Sequence, residues 1–352
     1  MAKGNNNTYQ EQIKKDNKLK LRELLEQLPN FCRDFFRGID TQTSPRTKIA
    51  YAYDLIVFFN YLIQENPTIK SIDDINIDTL TKLSSKDIEE YMEYLSLYSS
   101  HTGTEHTNEE AGLKRKITSL RSFYNYFYQN GDIDKNPALL VKIPKIHQKE
   151  IVRFEPHEVA AFLDNVEIGS NLTDKQLEYH NKTKVRDLAL LTLLLGTGIR
   201  VSECVGLDIN DVDFDNNGIK ITRKGGNESI VYFSDEVSEA LSAYINERKS
   251  IVPCEGHEEA LFLSIQRKRI KGRSVEKLVG KYAKTVTTVK NITPHKLRST
   301  YGTSLYQETG DIYLVADVLG HKDVNTTRKH YAAISDDIRR NAAKKVKFRQ
   351  NS

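Results

Sequence analysis

Two arginines, two histidines and a tyrosine form the most chemically loaded set in this sequence. His295 and Arg298 stand in TPHKLRST (293–300), and His321 and Tyr331 in VLGHKDVNTTRKHY (318–331). Arg200 closes the upstream run LLLGTGIR, with Glu203 three residues on, and Lys224 sits in TRKGG (222–226). Phosphoryl transfer calls for such a set. Its transition state spreads negative charge over non-bridging oxygens, so catalysis rests on positioning and charge stabilisation. A guanidinium holds two such oxygens and stays charged at working pH, which makes Arg200 and Arg298 the anion-binding candidates. His295 and His321 can donate hydrogen bonds to the same oxygens or move protons. The Tyr331 phenol is the candidate nucleophile, although with an ordinary pKa of about 10 it needs neighbouring cations to favour its phenolate. Lys224, beside a glycine turn, is the candidate acid for a departing alkoxide. Tyr301, Tyr306 and Tyr313 are alternative phenols nearby.

The elements that must carry these residues are mostly helical. Ser44-Pro45 is a good N-cap with proline in the first turn, opening a helix through Tyr61. Ser84 with Asp87, and Thr107 with Glu110, read as capping boxes before two further apolar-periodic helices. Leu21, Leu24, Leu25 and Leu28 predict a helix over 17–28. Residues 1–145 therefore read as an all-α domain. The basic, aperiodic stretch 146–155 reads as a linker, and 156–352 as a second, mostly helical domain. Within that domain 165–184 is polar enough to suggest a loop before a helix over 185–195. The segment 211–233 changes period, predicting three short antiparallel strands with tight turns at Asn216-Asn217-Gly218 and Lys224-Gly225-Gly226. Ser335, Asp336 and Asp337 start a final helix over 335–352.

A chain of 352 residues fits two domains, and 38% hydrophobic with 28% charged residues is a globular composition. The apolar run 188–195 is too short to span a bilayer, and the first ten residues lack the apolar core of a secretory leader. Cys32, Cys204 and Cys254 are widely spaced and suggest neither a disulfide framework nor a zinc cluster, so a cytoplasmic location is expected. A net charge of +4 permits a nucleic-acid partner without requiring one. Candidate phosphate contacts lie in basic clusters: Lys114, Arg115, Lys116 and Arg121, then Arg267, Lys268 and Arg269, then the basic tail.

The four motifs LLLGTGIRVSE, TRKGG, TPHKLRST and VLGHKDVNTTRKHY, in that order, resemble the Xer and phage-integrase family of tyrosine recombinases. The likeness spans about residue 154 to the end. TKIAYAYDLIVFFNYL, in the first domain, matches the family's core-binding domain more loosely. TRKGG, TPHKLR and the polar insertion after Asn165 are most similar to XerS-type members, which act without a second recombinase. The resemblance implies that Arg200, Lys224, His295, Arg298, His321 and Tyr331 are the catalytic set, that Glu203 supports it, and that the 335–352 helix docks on a neighbouring protomer. It further implies strand exchange on double-stranded DNA by a dimer on each site and a tetramer in the synapse, with no cofactor, metal or membrane. Two departures stand out. Ser299 replaces a histidine common after the second arginine, and Tyr331 lies ten residues after His321 where many members have nine, leaving His330 at the usual offset. An imidazole cannot hold a strand as a stable ester, so Tyr331 remains the assignment. The same chemistry would serve a type IB topoisomerase, and the same fold a non-catalytic DNA-binding protein.

Overall fold

The computed structural model describes residues 9–99, 103, 105–145, 152–223, 226–321 and 323–325. The chain divides into two compact units, Met1–Lys149 and Glu150–Ser352. Among the described residues no helix is long and apolar enough to cross a membrane.

In the first unit the helices are α1 (Tyr9–Leu25), α2 (Cys32–Gly38), α3 (Pro45–Glu65), α4 (Ile77–Lys82), α5 (Ser85–Tyr94) and α6 (Glu110–Asn130). Helix α1 begins eight residues before the expected start, on a polar stretch whose residues are mostly exposed. Ser44 caps α3 through its hydroxyl, which accepts from Thr47 N at 3.2 Å, and Asp87 accepts from Ser84 N at 2.7 Å at the start of α5. The second expected capping box does not form. Thr107 instead ends a two-stranded antiparallel ribbon, β1 (Leu97–Ser99) and β2 (Glu105–Thr107), and Glu109 precedes α6. The ribbon is held by side chains that no helical period reveals: Tyr98 stacks on His106 at 5.2 Å, and Asn108 donates to Leu95 O.

Helices α3 and α6 supply the core. Phe58, Phe59, Ile117, Leu120, Phe123 and Phe127 are almost fully buried, and the last four recur at three- and four-residue spacing on one face of α6. Phe35 meets Phe123 edge-on at 5.2 Å and Phe58 meets Tyr91 at 5.1 Å. Ring edges thus lie against ring faces, as their quadrupoles favour.

The second unit is built around α8 (Asp174–Thr197), against which α7 (Pro156–Ile168), α10 (Asp235–Arg248) and α12 (Pro294–Thr309) pack. Leu190, Leu191, Leu193 and Leu194 are buried on several sides, as expected of a helix enclosed by others. The stretch 165–184 is not a loop: it holds the last turn of α7 and the first three turns of α8. Thr173 caps α8, its hydroxyl accepting from Gln176 N and Gln176 Oε1 accepting from Thr173 N at 3.0 Å. The polar residues on this segment lie partly inside. Asp187 is fully buried and accepts from Thr183 and from Tyr282 OH, while Arg186 and Lys281 pair with it; Tyr282 OH also bonds His180 Nδ1 at 2.9 Å. Each buried polar group has a partner there, which is why polarity alone misidentified the segment.

The three expected strands are present as β3 (Val212–Asp213), β4 (Gly218–Thr222) and β5 (Glu228–Tyr232), antiparallel in that order. Asp213 accepts from Asp215 N and Asn216 N, and Asn217 takes φ +48°, so the first turn is an Asx-type reversal. Ile219, Ile221 and Val231 face the core. Helices α9 (Val201–Cys204), α11 (Gly272–Ala283) and α13 (Ile312–Leu319) complete the described part of the unit.

Candidate active site

Helix α8 must stop abruptly to present Arg200. Thr197 turns its hydroxyl back to Leu193 O at 2.5 Å, and Gly198 takes the left-handed conformation (φ +62°) that ends the helix. Any side chain at 198 would collide, because a Cβ there would lie 2.5 Å from the Tyr301 ring and 2.9 Å from Leu319. The chain then runs extended through Arg200, which caps α9. Glu203, buried in the first turn of α9, holds Arg200 twice: one carboxylate oxygen accepts from its backbone N at 2.7 Å and the other from Nη1 at 2.8 Å. The remaining Nη2 donates to Gly320 O at 3.2 Å.

Helix α12 opens at Thr293-Pro294 and carries His295, exposed, in its first turn, with Arg298 one turn further along the same face. Arg298 is only 5% exposed and donates Nη1 to Gly198 O at 2.6 Å and Nη2 to Leu319 O. Ser299, where a histidine is common in the family, is buried and returns its hydroxyl to His295 O at 3.1 Å. That bond ties Ser299 to the turn that bears His295.

Helix α13 starts on Asp311, whose carboxylate accepts from Tyr313 N and Leu314 N, and ends at Gly320 with φ +61°. Gly320 N returns to Asp317 O and His321 N to Ala316 O, closing the last turn and setting where His321 leaves it. The last carbonyls of this helix are its negative end. Three guanidiniums grip them in sequence: Arg223 donates to Val318 O at 3.2 Å, Arg298 to Leu319 O and Arg200 to Gly320 O. Carbonyls align these arginines without cancelling their charge, although Arg200 is also paired with Glu203, and the Schellman turn among them delivers His321. The arrangement brings four of the expected residues, Arg200, Glu203, Arg298 and His321, into one neighbourhood, with His295 a turn from Arg298.

Lys224 and Tyr331 lie outside the described residues, as do the 335–352 helix and most of the expected 146–155 linker. Of the alternative phenols, Tyr301 packs its ring against Gly198, and burial pushes its pKa up, the wrong direction for a nucleophile. Arg223 is a neighbour of this cluster that its motif does not single out. The available signal was Gly320: a Cβ there would sit 1.2 Å from Arg223 Nη1, so the glycine of LGH makes room for a guanidinium as well as for a turn.

The basic clusters need correction. Lys116 is not a surface contact; it is 6% exposed, pairs with Asp54 at 3.5 Å and lies over the Tyr98 ring. Arg121 donates to the carbonyls of Ala138, Leu139 and Val141, clamping the segment after α6. Arg269 is 9% exposed, donates to Val205 O and Leu207 O and pairs with Asp208. Each of these three heads is engaged inside its unit, where carbonyl or carboxylate acceptors compensate the loss of water. Lys114, Arg115, Arg267 and Lys268 remain exposed, with Arg115 also reaching Asp54.

Residues 153–337 match the phage integrase family model. The chain belongs to the phage integrase family. Among curated relatives, tyrosine recombinase XerS of Streptococcus equi subsp. zooepidemicus (strain H70) is 32% identical over 358 residues, covering 93% of this chain and 98% of that protein. Tyrosine recombinase XerC of Caldanaerobacter subterraneus subsp. tengcongensis is 31% identical, covering 93% and 87%. In fold, the chain is similar to the Tn1549 transposon integrase in complex with circular intermediate DNA (TM-score 0.62, 21% identity, 85% of this chain and 94% of that one). It is also similar to XerH site-specific recombinase bound to a palindromic difH substrate (TM-score 0.62, 19% identity, 85% and 79%). The arginine cluster lies within the residues that match the family model, and the chain is a tyrosine recombinase, an enzyme of DNA strand exchange.

Proposed function

We propose that this recombinase cleaves and rejoins double-stranded DNA at a specific site through a 3′-phosphotyrosyl intermediate on Tyr331. The observation that carries the proposal is the convergence of Arg200 and Arg298 on adjacent carbonyls, Gly320 O and Leu319 O, at the turn that delivers His321. Two guanidiniums so fixed suit the non-bridging oxygens of one phosphodiester, and Glu203 restrains Arg200 without touching Arg298's two carbonyl bonds. The Tyr331 oxygen attacks phosphorus as the bond to the 5′ oxygen breaks. The phenol's proton passes to the imidazole of His295 or His321, and Lys224 gives a proton to the departing 5′ oxygen. The products are a phosphotyrosyl diester and a 5′-hydroxyl. Attack by a 5′-hydroxyl from a partner duplex reverses every bond change, so no energy source is consumed.

In this reading residues 1–145 are the core-binding domain and 156–352 the catalytic domain, which together hold one half-site. A dimer occupies one site and a tetramer forms the synapse, with the 335–352 helix docking between protomers. The setting is cytoplasmic DNA, in chromosome dimer resolution or in integration and excision of a mobile element. Exposed Lys114, Arg115, Arg267 and Lys268 are the proposed phosphate contacts, so binding should weaken steeply with salt.

A nicked suicide duplex tests the proposal. The wild type should trap a covalent protein–DNA adduct and Tyr331→Phe should trap none. An adduct with the phenylalanine variant would move the nucleophile elsewhere. Site-independent relaxation of supercoiled DNA would identify a type IB topoisomerase activity, and no adduct with either protein a non-catalytic binder.

A further inference from the structure

Arg223 ends strand β4, directly before Lys224 in the sequence. Its backbone closes the hairpin turn: its N donates to Asn227 O at 2.8 Å, and its O accepts from Gly226 N at 3.0 Å. Its side chain leaves the sheet and lies across the end of α13, donating Nη2 to Val318 O at 3.2 Å. The fit over Gly320 is so close that a Cβ would fall 1.2 Å from Nη1 and 2.3 Å from Cζ. Nε is buried and has no hydrogen-bond partner among the described residues. A buried donor left unmatched costs free energy, so the guanidinium is kept there by what its other atoms do.

Those atoms cover the turn from which His321 emerges. Arg298 and Arg200 hold the two following carbonyls, and both already have a place in the proposed reaction. Arg223 has none, yet it completes the row and is the arginine of the three that comes from the sheet.

We infer that Arg223 is a positioning residue for His321: its planar guanidinium, lying over Gly320 and bonded to Val318 O, fixes the end of α13 against the β4 hairpin and thereby sets the imidazole at the scissile phosphate. The inference rests on the recombinase reading above. A group displaced by about 1 Å from its reacting partner can cost on the order of 100-fold in rate, so a rigid strut at this turn has a measurable consequence.

Single-turnover cleavage of the nicked duplex by the full chain tests it. Arg223→Ala should cleave roughly 10- to 100-fold more slowly than wild type, with site binding and thermal midpoint little changed. In a His321→Ala background, followed over hours, adding Arg223→Ala should cost nothing further, because the residue it positions is gone. Arg223→Lys keeps the charge but cannot cover Gly320 with a flat guanidinium, so it should remain slow. The inference is overturned by losses that multiply in the double variant, which would mean a direct contact with the phosphate. Full recovery in Arg223→Lys, meaning charge alone, also overturns it, as does a rate loss that follows a fall in thermal midpoint. Failure of the wild type itself to form an adduct would instead sink the recombinase reading, a signature distinct from any of these.

Discussion

Buried charge is answered in two opposite ways, shown by one set of residues in each unit. In the first, Asp54 is buried in α3 and is met by Arg115, Lys116 and the Ser119 hydroxyl from α6, so charge is answered by charge. In the second, Arg298, Arg223 and Arg248 are answered largely by backbone carbonyls: Gly198 and Leu319 for the first, Val318 for the second, and Ala260, Ile251 and Glu258 for the third. A carboxylate neutralises a guanidinium, whereas a carbonyl orients it and leaves the positive field available. The first arrangement fastens helices together. The second orients guanidiniums and leaves them charged.

That contrast makes Asp54→Ala the change with the largest expected cost in stability. It strands the buried Lys116, whose pKa burial already pulls down against the opposing pull of Asp54. Denaturant unfolding should show a loss of about 3–5 kcal/mol. Phosphotyrosyl formation at saturating duplex should survive, and a cleavage defect larger than the stability loss explains would break the comparison. Arg298→Lys should do the reverse. It keeps charge but cannot span Gly198 O and Leu319 O, so single-turnover cleavage should fall by about 100- to 1,000-fold while the unfolding midpoint moves little.

The Asp187 cluster of the second unit sharpens the comparison, because it resembles the Asp54 arrangement and should behave structurally. His180 there is buried, and burial, then Lys281, lowers its pKa below the ordinary 6.5, with Asp187 opposing. As pH falls through the ordinary histidine range the unfolded chain takes up the proton first. The His180 contribution is therefore fully present above that range and is lost toward the lower, folded-state pKa. Thermal midpoints recorded between about pH 7.5 and 5.5 should decline, and His180→Gln should flatten the decline. A decline as steep in the variant would assign the effect to other groups. The smallest effect is expected at a site of neither kind: Ser44→Ala removes the cap of α3 and should cost about 1 kcal/mol in unfolding, with no change in cleavage.

How legible the chain was depended on the range of the interaction. Ser44 and Ser84 lie one turn from the groups they bind, so local pattern sufficed. The three-stranded sheet was legible because Asn217 and the glycines punctuate a period of two. The β1–β2 ribbon was not, since its strands are three residues each and Tyr98 is covered by Lys116 from α6. The 165–184 segment reads as a loop from sequence because its burial depends on α11, about a hundred residues on, where Tyr282 meets His180 and Lys281 meets Asp187. Lys116, Arg121 and Arg269 looked like surface cations for the same reason.

By itself the sequence determined the helical class, the hairpin and the residue types for phosphoryl transfer, because spacing and side-chain chemistry are local properties of the chain. Only the tertiary structure decided that the end of α8, the first turn of α12 and the end of α13 meet, so that Arg200 and Arg298 hold neighbouring carbonyls beside His321. It also decided that Arg223 joins them. Carbonyls of a helix end carry no signature in the sequence, and which cations they hold is set by packing between residues 21 to 120 positions apart.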